Sequence, residues 1–417
     1  MFKALRHRNY RLFFAGQLIS LIGTWMQSVA QGWLVLRLTN SPFLLGVVAA
    51  ASSLPILVLS LPAGVFADRL PKRSVIIFTQ TMAMILAFIL AGLTLTHTVQ
   101  VWHVLVLATL LGASQALDAP ARQAFVIELV GREDLLNAIG LNASMFNLAR
   151  AVGPAAAGLV VAAVGEGAAF LLNALSFLAV LWGLLLMKLP PHPLQPAKHP
   201  KGQLREGLLY IRNEPTIRAL LLLVANTSLF GFAYAAMLPV FARDVIHTGP
   251  SGLGYLGGAS GFGALLAALA LAYMGSEPSL DKHRGRFLLL TLFIFPFFVI
   301  GFTFTRDLPI AMVFLAFMGC SNVASLSLNN TLIQLLVPNT LRARVMSVFV
   351  ISVLGVAPIG GLLAGSITEW VGSVPLVIAL AALILIGLNL GMLLLVPQVR
   401  QLWTRLDLPE AHVTRIS

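Results

Sequence analysis

The stretch NLARAVGPAAAG, residues 147–158, sets an arginine in the middle of an otherwise apolar run. Arg150 lies nearly halfway along that run, too far from either end to snorkel, and an unpaired charge at such depth costs about 3 kcal/mol even on insertion scales. It needs water, an anion or a partner group. Among the fifteen acidic residues, Asp118, Asp244 and Glu369 stand at the ends of apolar runs and the rest in connections or tails. Two readings stay open. Arg150 lines a cavity and binds an anionic or carbonyl-rich group, or it joins a structural pair or network that Asp118 can approach.

Polar side chains recur at helical spacing in three apolar runs. Gln17, Ser20, Thr24, Gln27 and Gln31 follow one another at intervals of 3, 4, 3 and 4, which confines them to about 80° of helix surface. Met318, Asn322, Ser325 and Asn329 repeat the pattern, and Asn226, Phe230, Tyr234 and Met237 form a third stripe. Polar groups are costly in hydrocarbon, so such faces line a cavity or a helix interface, while methionine and aromatic members are as readily core packing. The candidate cavity set is Gln17, Thr24, Gln27, Gln31, Arg150, Asn226, Phe230, Tyr234, Met318 and Asn322. A proton-coupled mechanism needs a titrating group in the pathway, and Asp118 is the candidate that remains, since none of the eight histidines falls mid-run.

The elements that position these residues follow from composition. The 417 residues are 58% hydrophobic and only 10% charged, with a mean hydropathy of +0.91, which excludes an ordinary soluble domain. A bilayer crossing needs about 20 mostly apolar residues. Twelve runs qualify, near 12–36, 43–66, 74–96, 99–117, 139–164, 168–187, 219–241, 252–274, 287–304, 308–328, 345–368 and 374–397. The chain therefore reads as an all-α polytopic membrane protein with twelve transmembrane helices. Residues 1–30 read as the first span rather than a cleaved leader, because the run is long and carries three glutamines.

The formal charge of +12 does not point to nucleic acid. Lys and Arg gather at alternate connections, and the opposite connections carry only Arg37, Arg243 and Arg306. That asymmetry is the positive-inside pattern, which puts both termini in the cytoplasm; a bacterial inner membrane is the expected location. No nucleotide-binding loop and no metal-spaced His/Cys set is present, so neither an enzyme nor a cofactor or metal site is expected.

A proline-rich, basic segment, PPHPLQPAKHPKGQ, divides the chain into a bundle over 1–189, a linker over 190–218 and a second bundle over 219–417. The halves match in sequence: GASQALD (112–118) answers GCSNVAS (319–325), and AVGPAAAGLV (151–160) answers GVAPIGGLLA (355–364). Parallel repeats of this kind mark two-bundle transporters, with the substrate site between the halves near the bilayer midplane.

The segment GVFADRLPKR (64–73) resembles the loop 2-3 signature of the major facilitator superfamily, with Gly64, Asp68, Arg69, Lys72 and Arg73 in register and Pro71 in place of the family's glycine. GPAAAG (153–158) resembles the fifth-helix antiporter signature through Gly153, Pro154 and Gly158, with Ala157 replacing a glycine. LREGLLYIRNEPTIRALL (204–221) and PARQAFVIEL (120–129) are similar to the drug-efflux branch that includes enterobactin exporters and macrolide pumps. The resemblance implies two pseudo-symmetric six-helix bundles, a gate at the loop 2-3 cluster and a hinge and seal in span five. It also implies a secondary active transporter, acting as a monomer among membrane lipids, that exports small amphiphiles in exchange for protons. Uptake or flipping of an anionic solute or lysolipid is the alternative.

Overall fold

The computed structural model describes residues 3–68, 70–131, 133–188, 203–274 and 278–404. Six helices form the first half: α1 (Arg8–Thr39), α2 (Pro42–Asp68), α3 (Lys72–Leu95), α4 (Val101–Val130), α5 (Leu135–Val164) and α6 (Glu166–Leu185). A short amphipathic helix, α7 (Gln203–Asn213), follows. The second half opens with α8 (Pro215–Asn226) and α9 (Ala233–Val240), which together make the seventh span. It continues with α10 (Gly249–Met274), α11 (Pro278–Phe304), α12 (Leu308–Leu336), the paired α13 (Asn339–Val350) and α14 (Ala357–Val371), α15 (Val374–Leu395) and the short α16 (Pro397–Thr404). Twelve helical stretches are long and apolar enough to cross a membrane. All twelve expected runs are found, in order.

The helices end where the residues require it. Asn40 takes the left-handed conformation (φ 51°) at the end of α1, and Gly372 does so (φ 73°) at the end of α14. Pro42, Pro215 and Pro397 each stand at the first position of a helix, where a missing N–H costs nothing. Asp307 caps α12 by accepting from the Ile310 N–H at 3.2 Å. The seventh span is α-helical only in pieces: Thr227–Gly231 and Phe241–Val245 wind as π-helix, and Ile351–Gly355 does the same in the eleventh span.

Two expectations about depth are corrected. The hydropathy run 99–117 puts Asp118 at the end of the fourth span and the segment PARQAFVIEL (120–129), which includes Arg122, beyond it. Instead α4 runs unbroken to Val130 through Pro120, so both residues lie within the helix. Pro120 was a poor stop signal because flanking turns tolerate one lost hydrogen bond in a buried helix.

Large apolar side chains such as Trp182, Phe304 and Leu394 face outward, as a lipid-facing surface requires. The interior is divided unequally. Toward the end where the first and last described residues lie, hereafter the near end, each half has its own core: Tyr10, Phe13, Phe125 and Leu184 in the first, Leu220, Leu288, Leu332 and Val399 in the second. Toward the opposite, far end there is one shared core that joins Leu34, Val48 and Phe170 to Phe241, Leu256, Phe302 and Ile378.

Glycines bring the halves together there. A Cβ on Gly158 of α5 would lie 2.7 Å from the Cα of Gly254 on α10, and one on Gly46 of α2 would lie 2.7 Å from the Gly361 carbonyl oxygen of α14. Gly365 packs on Pro42 and Gly32 on Pro239 in the same way. Small-residue faces allow helix backbones to approach closely where lipid gives no hydrophobic drive.

Candidate functional site

The site is centred on the middle of α5. The guanidinium carbon of Arg150 lies 5.9 Å from the centroid of the Trp25 ring on α1, within the range in which an aromatic face attracts a cation. Trp25 in turn packs edge-on against Phe146, one turn before Arg150, with centroids 5.6 Å apart and planes at 72°. Gly153 permits this arrangement: a Cβ there would sit 2.5 Å from the Cβ of Trp25. The Arg150 backbone carbonyl abuts Gly261 of α10. Arg150 is thus held at the junction of the halves, half-buried. Among the described residues it forms no ion pair.

Asp118 does not approach Arg150. Its carboxylate accepts from the Thr79 hydroxyl at 2.7 Å and from the Gln80 amide at 3.1 Å, both on α3, and pairs with Arg122 one turn along its own helix. The carboxylate is buried, at 3% exposure. A pair of this kind is stable only while both members remain, since removing one leaves a buried uncompensated charge. Arg122 was missed by treating PAR as the start of a connection. The i, i+4 spacing from Asp118 to Arg122 was the signal available.

The polar stripe of α1 is split between two environments. Gln27 accepts from the Asn173 amide of α6 at 2.6 Å, and Gly23 lies against Asn173 and Ser176. This part of the stripe is a helix interface, which corrects the cavity expectation for Gln27. Thr24 donates to the Ser20 carbonyl at 2.9 Å and is half-buried, as is Gln31. Gln17 is buried with its amide oxygen unpartnered.

In the second half Tyr234 and Met318 are nearly fully buried in the shared core, the tyrosine ring 6.4 Å from that of Phe295. They pack rather than line an opening. Phe230 is half-buried against the same core, and Asn226 donates to the Met392 sulfur at 3.7 Å. Asn322 is 2% exposed, and among the described residues neither atom of its amide has a hydrogen-bond partner.

The two motifs also separate. In GPAAAG, Gly153 meets Trp25 within the first half, while Pro154 and Gly158 meet Gly257 and Gly254 across the halves. For the loop 2-3 cluster, Gly64 and Asp68 lie in the last turns of α2, their surroundings outside the described residues, as is Arg69 altogether. Arg73 donates to the Leu185 carbonyl at 3.2 Å, which ties the start of α3 to the end of α6; Lys72 stands half-buried beside it.

The sequence matches the family described as transmembrane secretion effector over residues 1–415. It is 26% identical over 360 residues to a staphyloferrin A transporter of Staphylococcus aureus, covering 85% of this chain and 88% of that one. It is 27% identical to the multidrug efflux pump Tap of Mycolicibacterium fortuitum, with 84% and 87% covered, and 25% identical to the enterobactin exporter EntS of Shigella boydii, with 85% of each covered. Among solved structures, a bacterial homolog of the human lysosomal transporter Spinster superposes with a TM-score of 0.70 at 14% identity, over 95% of this chain and 97% of the other.

Proposed function

The chain belongs to the transmembrane secretion effector family, within the major facilitator superfamily, and on that premise we propose that it exports small amphiphilic molecules by alternating access. It is an integral membrane transporter and not an enzyme. Substrates carry an anionic or carbonyl-rich group on an apolar body, in the manner of siderophores and drug-like acids. Export takes place across a bacterial inner membrane, with the near end and both termini in the cytoplasm, and is coupled to proton entry.

One observation carries this reading: Arg150 is a cation at the junction of the halves that forms no ion pair among the described residues and lies over the Trp25 indole face. An unneutralised guanidinium in a low-dielectric site favours anions and rejects organic cations. Its planar fork suits a carboxylate or paired carbonyls. The names of the relatives, siderophore and drug exporters, support the direction and the substrate class. Positive charge concentrated at the near end supports the orientation. Asp118, buried beside Arg122, is the group we assign to proton coupling.

The test is transport in proteoliposomes of known orientation with an imposed pH gradient. The panel is a carboxylate siderophore, a lipophilic organic acid, a lipophilic organic cation and a lysolipid. Gradient-driven efflux of the acids, lost in Arg150→Ala, is the expected result. Efflux confined to the cation, or uptake of the lysolipid instead, would overturn it.

A further inference from the structure

The turn Asn40–Ser41 joins the C-terminus of α1 to the N-terminus of α2 at the far end. The end of a helix carries a partial charge, negative at the C-terminus and positive at the N-terminus. Each of these two ends faces a charge of opposite sign, and both charges come from the second half. Arg243, at the end of the seventh span, donates Nη1 to the Asn40 side-chain oxygen at 2.7 Å and to the Leu36 carbonyl in the last turn of α1 at 3.4 Å. Glu369, near the end of α14, accepts from the Ser41 hydroxyl and from the Phe43 backbone N–H, the latter at 3.1 Å. Asp244 holds the arginine in place through two bonds of 2.6 and 3.0 Å.

Beside this contact is an open pocket of about 710 Å³, lined by Asn40 and Pro42 of the first half and by Asp244, His247, Arg306 and Glu369 of the second. These, with Arg243, are the charged and titratable groups of the second half gathered at the contact. Arg37 lies nearby on α1 but is engaged within its own half, by Glu166 at 2.8 Å. The four bonds to the turn and its two flanking helix ends all bridge the halves, so none survives a separation of the halves at the far end.

We propose that the Asn40–Ser41 turn is the far-side latch of the transporter, clamped at its two helix ends by Arg243 and Glu369, and that these two residues set the balance between closed and open far-end states. The proposal rests on the alternating-access reading above.

The experiment measures access. Full-length protein with Cys320→Ser and a reporter cysteine at Thr24 is labelled from the far side with a membrane-impermeant maleimide. Removing one charge from a helix end corresponds to about 0.3–1 kcal/mol, or roughly a two- to fivefold change. Glu369→Gln and Arg243→Gln should each raise far-side labelling by about that factor. Ser41→Ala, a milder change, should raise it less. The swap Arg243→Glu with Glu369→Lys restores two opposite charges but presents the wrong sign to both helix ends, so it should label at least as fast as either single variant. Unchanged labelling in the single variants would overturn the latch, as would full restoration by the swap, which would reduce the contact to an ordinary ion pair. Labelling is read without substrate. Loss of export with labelling shifted would leave the latch standing, whereas export with labelling unshifted would remove the latch alone.

Discussion

Arg150 and Trp25 face each other at 5.9 Å across the α1–α5 contact, and the arginine has the indole rather than a carboxylate as its neighbour. Of the two readings the sequence left open, a structural pair with Asp118 is removed, because Asp118 is engaged by Arg122 and α3. A guanidinium gains about 0.5–2 kcal/mol from an aromatic face, less than the roughly 3 kcal/mol that an unpaired charge costs at this depth. The remainder calls for a ligand or water in at least one state.

Arg150→Ala is therefore expected to abolish substrate binding while leaving the melting temperature nearly unchanged. Arg150→Lys keeps the charge but loses the planar fork, and should lower affinity about tenfold. Affinity and melting temperature measured on the same purified protein check this. A large fall in melting temperature with affinity intact would show a structural arginine.

Asp118→Asn leaves Arg122 buried without its counter-charge, a change of about 3–5 kcal/mol in soluble proteins. The melting temperature should fall by several degrees and recover in Asp118→Leu combined with Arg122→Leu. The coupling role makes a separate prediction. Asp118→Asn should lose its flux response to an imposed pH gradient yet still bind substrate, and an unaltered response would exclude Asp118 as the proton site.

Gly158→Leu places a branched side chain where the Gly254 backbone stands 2.7 Å away. The helices must part, so the halves should separate at the far end, with transport lost and expression retained. Gly140, whose Cβ position has nothing within 4 Å, is the control. Gly140→Leu should transport normally.

Asn322 is a buried amide with no hydrogen-bond partner among the described residues. Replacing an unpaired buried polar group by an apolar one of similar volume removes a desolvation cost of about 1–3 kcal/mol. Asn322→Leu should raise the melting temperature. If the amide serves the substrate, the same variant binds more weakly, and isothermal titration separates the two effects.

Hydropathy alone located all twelve spans, because a bilayer demands length and apolarity and little else. Depth was legible less well. Asp118 read as terminal since Pro120 follows it, and only the surrounding helices make that proline tolerable. Facing was legible in α1 only in part: Gln17, Ser20, Thr24, Gln27 and Gln31 do share one side, but periodicity cannot tell a cavity from Asn173 on the neighbouring helix. In the seventh span the stripe Asn226, Phe230, Tyr234, Met237 was counted at 3.6 residues per turn, and the π segment Thr227–Gly231 breaks that count. The contact of Arg150 with Trp25, and those of Glu369 and Arg243 with the Asn40–Ser41 turn, join residues at separations that no local pattern encodes.

Those π segments bear on how the molecule deforms. All three found among the described residues belong to the second half, in the seventh and eleventh spans, whereas every span of the first half is α-helical throughout its described length. A π turn accommodates an extra residue at the expense of its backbone ladder, so it yields to bending and to small rotations more readily than an α turn. The two halves are matched in sequence and unequal in stiffness. On this physical ground the second half is the more compliant one, and one of its π segments, Phe241–Val245, contains the Arg243 that grips the Asn40–Ser41 turn.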